Sequence, residues 1–229
     1  MKKIYLLGAL LLIVPSLFCQ TYHIDTSQIT FQEKLRPCLK VSFDADAKTV
    51  KKGWSEFLKK NYDIKSKGVG LLSSSSLVST QDVSIRAISD KRMNIYSQVN
   101  DIPQGSEMEY FMSFGYDFFI GPKDYPESFT AMKKLLNDFC VTFLNNYYRD
   151  QTSFILKEIK KDERDIKKDN DAIKKNERKS ASVPAAEASG LEAKNNAYTN
   201  DIKIIQDKIQ GLQDQLENIK VKQTGITRN

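Results

Sequence analysis

Few side chains in this sequence are of the kinds that do chemistry, and their spacing gathers none of them into a working constellation. The single histidine, His23, stands in a polar stretch, which argues against a His-based triad or a His-rich metal site. No Cys-x-x-Cys, HExxH or phosphate-binding glycine loop occurs. Gly68-Val69-Gly70 leads into a strand pattern rather than a helix, so the anion-binding logic of a helix N-terminus does not apply and the segment reads as a turn. Asp44 and Asp46 would suit either a cation or a helix cap, and their place before a helical pattern favours the cap. The serines of 73–76 read as a polar edge or loop. Trp54 and the aromatic run 110–119 offer rings for stacking on sugars or bases, but helical and alternating spacing favours the core. Cys38 and Cys140 either pair in an oxidising compartment or stand as buried free thiols. The expectation is no catalytic residue, no cofactor and no metal ligand, and therefore not an enzyme.

The elements that would position these residues follow from hydrophobic period. Residues 29–43 alternate through Ile29, Phe31, Leu35, Leu39, Val41 and Phe43, a strand signal that Pro37 bends or marks as an edge. Val50, Trp54, Phe57, Leu58 and Tyr62 then recur at three- and four-residue steps, one buried face of a helix opening at Asp44–Asp46. Strand candidates follow at 69–78, 83–88 and 93–99, the last two separated by a bulge, and the most strand-like segment is 108–120. Gly121-Pro122 closes it. Pro126 opens a helix carrying Phe129, Met132, Leu136, Phe139, Phe143 and Tyr147. This βαβββα series predicts an α+β head of ferredoxin-like, split-βαβ type over 20–149.

The N-terminus stands apart. Lys2 and Lys3 precede an apolar run at 4–18, too short to span a bilayer, which reads as a secretory signal over 1–19. Cleavage before Gln20 is expected. Lipidation at Cys19 and an uncleaved anchor are the rivals, and bulky Phe18 fits a lipobox poorly. Losing Lys2 and Lys3 lowers a formal charge of +6 to about +4. That excess reads as scattered, a solvated surface, and no nucleic-acid motif accompanies it.

No Gly or Pro interrupts 127–182, and charged residues dominate beyond Lys157. A thin apolar line persists through Ile155, Ile159, Ile166 and Ile173, with Asp162 and Asp169 at its other seam positions. After a break at 180–190 centred on Pro184, Leu191, Tyr198, Ile202, Ile205, Ile209, Leu212, Leu216 and Ile219 keep heptad spacing, interrupted once by Asn195. The two segments, at about 1.5 Å per residue, predict an antiparallel helical hairpin of coiled-coil character over 150–229, its second helix returning with about two turns to spare. Because the outgoing seam is half polar, Tyr198, Ile202, Ile205, Ile209, Leu212, Leu216 and Ile219 are the expected interaction residues.

The segments GWSEFLKKNYDIKSKG at 53–68, DVSIRAISDKRMNIYSQV at 82–99 and FGYDFFIGPKDYP at 114–126 resemble exported, uncharacterised proteins of Gram-negative bacteria that join a small α+β head to a charged helical hairpin. The resemblance implies export and that architecture, and carries over no functional residue. The expected function is a non-enzymatic cell-envelope interaction or spacer protein in the periplasm or at the outer membrane. Its partner would be itself or another helical envelope protein, with membrane contact only through a lipidated Cys19 or an uncleaved signal. The alternative is a secreted hydrolase or carbohydrate-binding protein with its site on the head.

Overall fold

A computed structural model describes residues 21–69 and 75–226; the expected signal, Cys19, Ser73 and Ser74 lie outside the described residues. The chain is α+β. Strands β1 (Asp25–Phe31) and β2 (Lys34–Phe43) are followed by helix α1 (Ala47–Tyr62), then β3 (Leu77–Val83), β4 (Met93–Ile102) and β5 (Gly105–Ser113), and finally helices α2 (Pro126–Ser180) and α3 (Ala185–Thr224). The five strands form one sheet in the order β1-β2-β5-β4-β3, and every neighbouring pair is antiparallel.

That order differs from the ferredoxin-like expectation. A split βαβ needs two parallel strands joined through a helix, whereas β2 and β3, joined through α1, occupy the second and fifth places and run in opposite directions. The difference begins at 29–43, which is a hairpin rather than one strand. Gln32 and Glu33 form its two-residue turn, both with positive φ (53° and 61°), the backbone that matches strand twist. Neither residue is the glycine or asparagine that signals such a turn. Pro37 remains in β2 opposite Gln28, outside the Leu39–Phe43 stretch that also pairs with β5.

Two further boundaries shift. Residues 83–88 leave the sheet after Val83, and Ile85 and Ile88 are buried from a turn. The aromatic segment expected at 108–120 ends as a strand at Ser113. Gly115 and Tyr116 both take positive φ (95° and 47°), and the chain folds back so that Phe119 bridges Ser113.

Alternation sorts the sheet into two faces. One carries Leu39, Val41, Ile95, Met108, Tyr110 and Met112 beneath α1 and the first half of α2, where Trp54, Phe139 and Phe143 complete the core. Trp54 stacks on Phe57 at 5.8 Å and meets Tyr110 and Phe139 edge-on, so its role is core packing. Gly53 allows the close approach of the helices, since a Cβ there would sit 2.5 Å from the Phe143 ring. The second face carries a smaller cluster of Ile29, Cys38, Tyr96, Phe111 and Phe119, with the Arg36 guanidinium 4.3 Å above Phe119.

α2 crosses the expected head–tail boundary at 149/150 without interruption. α3 follows after a short connection containing Pro184 and packs against α2. Among the described residues no helix is long and apolar enough to cross a membrane.

Candidate functional site

Beyond Tyr148, α2 packs chiefly against α3 among the described residues. Asn176 donates to Asn195 (2.9 Å), Lys208 meets Asp162, and Lys222 meets Asp44. Asn176 and Asp162 of α2 thus meet Asn195 and Lys208 of α3. Ile155, Ile159 and Leu191 are buried, while Ile166 and Ile173 are half-buried. The expected interaction residues Tyr198, Ile202, Ile205, Ile209, Leu212, Leu216 and Ile219 are all half-buried on α3. Two helices alone can cover only one side of such a line. Ile219 is also packed against the head core.

The two polar interruptions of the seam are answered by polar partners. Asn195, a solitary polar residue that at a seam position either fixes register or is tolerated near a frayed end, faces Asn176. Asp162 is 5 % exposed, and the Lys208 ammonium lies 2.9 Å from its Oδ1 and 2.8 Å from its Oδ2. Lys208 also reaches Glu158 at 3.8 Å. The hydrogen bond to Asp162 raises the Lys208 pKa. Lys208 was absent from the expected site, although its position beside the seam residue Ile209 was a usable signal.

Where the arm meets the head, four segments converge. The Asp44 carboxylate, just past β2, accepts from the Tyr148 hydroxyl (2.9 Å) and the Lys222 ammonium (2.6 Å) through Oδ2. Burial first, and then the Asp44 charge, push the Tyr148 hydroxyl pKa far up. Thr21 closes the junction: its hydroxyl donates to the Lys222 carbonyl (2.5 Å) and its amide to that of Gly225 (3.2 Å). Ile219 and Ile226 rest on the core beneath. Asp44 therefore anchors α3 rather than capping α1. Asp46 is the cap, accepting from the Thr49 amide (2.9 Å) and hydroxyl (2.7 Å).

The remaining chemical candidates stay apart. His23 is exposed and lies 3.1 Å from exposed Asp25. Cys38 and Cys140 are both free and buried, on opposite faces of the sheet. Burial, with Glu109 next, pushes the Cys38 thiol up to about 11, and burial raises Cys140 further. Among the described residues no group of His, Cys, Asp and Glu could hold a metal ion. A cavity of about 360 Å³ lies between α1 and α2, lined by Lys52, Glu56, Lys60, Asn146 and Asp150 over Phe57 and Phe143. Its charged groups are on exposed helix surfaces and converge on no buried nucleophile.

No known protein family, curated protein or solved structure matches the chain.

Proposed function

We propose that the chain is an exported, non-enzymatic interaction or spacer protein of the cell envelope, whose α+β head carries an antiparallel helical hairpin of coiled-coil character. One observation carries this reading. α2 begins beneath the sheet and continues unbroken to Ser180, so head and tip share a single helix. The return of α3 to Asp44, Tyr148 and Thr21 ties its far end to the same head. A contact made along the arm is thereby coupled to the head through two connections. The partner is a second copy or another helical protein, meeting the half-covered line through Ile202, Ile205, Ile209 and Leu212.

Two measurements test the proposal. Protein recovered from the envelope fraction should have an intact mass that begins at or near Gln20; a full-length cytoplasmic chain overturns export. Photoreactive residues placed at Ile205 and Ile209 in intact cells should form adducts with a second copy or a helical protein. Adducts arising from head positions alone overturn the role of the arm.

The carbohydrate-binding alternative has one observation in its favour. Tyr116 is 96 % exposed and Phe118 59 % exposed on the turn where Asp117 is held by Lys34 and Arg36, an open aromatic surface of the kind that stacks on sugars. Glycan binding lost in a Tyr116→Ala, Phe118→Ala variant would establish it.

A further inference from the structure

The basic residues of the arm are not scattered. Lys157, Lys160, Lys161 and Arg164 occupy the first two turns beyond Leu156, and all are exposed. Lys167, Lys168, Lys174, Lys175 and Arg178 continue the series, with exposed Asp171 inside it and exposed Glu163 and Glu177 beside it. At 100° per residue these cations fall on one arc of α2, opposite the line of Ile155, Ile159, Ile166 and Ile173 that meets α3. Four of the carboxylates, Glu158, Asp162, Asp165 and Asp169, are buried or half-buried on the side towards α3, where Lys208 bridges the first two. Lys168 pairs with Asp165, while Lys157, Lys160, Lys161, Lys167, Lys174 and Lys175 form no ion pair among the described residues. A heptad advances about 10.5 Å, so Lys157 to Arg178 make a straight basic ridge about 32 Å long.

A solvated helix that needed only solubility would mix signs around its surface, and i, i+4 pairing would favour it. In α2 the exposed cations of 157–178 outnumber the exposed carboxylates, Glu163, Asp171 and Glu177, by three to one. α3 does not share the pattern; Lys203, Asp207, Asp214 and Glu217 mix signs on its exposed side.

We propose that this face of α2 docks on an anionic lipid surface, lying flat against phosphate-bearing headgroups. The shape of the ridge selects that partner over other polyanions. A straight row can meet a planar array of charges along its whole length, whereas a duplex curves away from it after a few phosphates. The ridge also holds no aromatic side chain to stack on bases. Its apolar line is turned towards α3, so attachment is electrostatic and peripheral rather than inserted. The inference concerns the outer face of α2 only and stands or falls separately from the partner expected on α3.

The test uses the full chain and vesicles of phosphatidylcholine, with and without about one-third phosphatidylglycerol. Comparing the two compositions cancels any contribution from the apolar run at 4–18. Binding should appear on the anionic vesicles alone and collapse between about 0.1 M and about 1 M salt as the Debye length shrinks. Lys160→Gln, Lys167→Gln and Lys174→Gln together should weaken it about a hundredfold, each cation being worth about fivefold. The same number of changes on α1, at Lys48, Lys52 and Lys59, should weaken it less than about fivefold, with helix content by circular dichroism unchanged in both variants. Absence of anionic-specific binding overturns the proposal, as does equal loss in the two variants, which would make net charge the cause. Tighter binding to duplex DNA than to the vesicles in the same buffers overturns the lipid assignment in favour of nucleic acid.

Discussion

The head and the arm are held together by different physics. In the head, Trp54, Tyr110, Phe139, Leu39 and Met108 are fully buried, and aromatic rings interlock between sheet and helices at centroid distances of 4.9–5.9 Å. In the arm, most seam residues remain half-exposed, and position is set by Asn176–Asn195, Lys208–Asp162 and the anchor at Asp44. Apolar burial supplies most folding free energy, so the arm is the low-stability end of the molecule and the part whose opening leaves the rest folded. Its surface is correspondingly freed from packing and available to carry a pattern of charge.

The largest effect that tests this contrast lies in the head. Trp54→Ala deletes the side chain where α1, α2 and the sheet meet and should cost about 3–5 kcal/mol, lowering the urea midpoint for the whole chain. Trp54→Phe should cost much less, because the buried indole Nε1 has no hydrogen-bond partner among the described residues to lose. A Trp54→Ala variant with an unchanged midpoint would mean that the head does not set global stability.

In the arm the expected change is smaller and of opposite sign. Asp162→Ile places an apolar side chain in the seam and leaves Lys208, whose side chain is 49 % exposed, free to point into water. Removing a buried carboxylate without orphaning a buried partner is commonly neutral or stabilising, and a well-buried Ile contributes about 1.5–3 kcal/mol. Amide exchange should slow in α2 and α3 beyond residue 150, with no slowing in the sheet. Faster exchange there would show that the Lys208–Asp162 pair is worth more than apolar burial at that layer.

The same contrast explains what the sequence disclosed. Long periodic segments were legible. The helical face from Val50 to Tyr62, the uninterrupted α2 and the break around Pro184 all follow from period and punctuation, because each is set by local spacing. The sheet order was not legible. It turned on Gln32 and Glu33, ordinary residues forced into left-handed backbone by the hairpin they close, and on Gly115, whose turn ends β5 early. The seam residues of α3 are half-buried, but their polar answers, Asn176 and Lys208, depend on the register of two helices, which no single helix encodes. Net charge concealed the basic face of α2, since its carboxylates nearly cancel its cations until the helix is viewed end-on.

The smallest effect concerns two carboxylates whose pKa values move in the same direction for unequal consequence. For Asp46, partial burial acts upward, but the Thr49 hydroxyl and amide hydrogen bonds prevail and hold the carboxyl below its ordinary 3.8. A folded pKa below the unfolded one means that ionisation favours the fold. The contribution is therefore complete above about pH 4 and lost as pH falls through the lower, folded value. In the arm, Asp165 is likewise lowered, chiefly by its hydrogen bond to Lys168, but that pair is solvent-exposed and screened. Asp46→Ala should cost about 1 kcal/mol of global stability near neutral pH, the usual worth of a helix cap. The gap between variant and wild type should narrow as pH falls below the ordinary carboxylate range. Asp165→Ala should leave the urea midpoint unmoved at either pH and alter amide exchange only in neighbouring turns of α2. If both substitutions shift the global midpoint alike, head and arm unfold as one cooperative unit, and the division drawn between them fails at the level of energy even though it holds in structure.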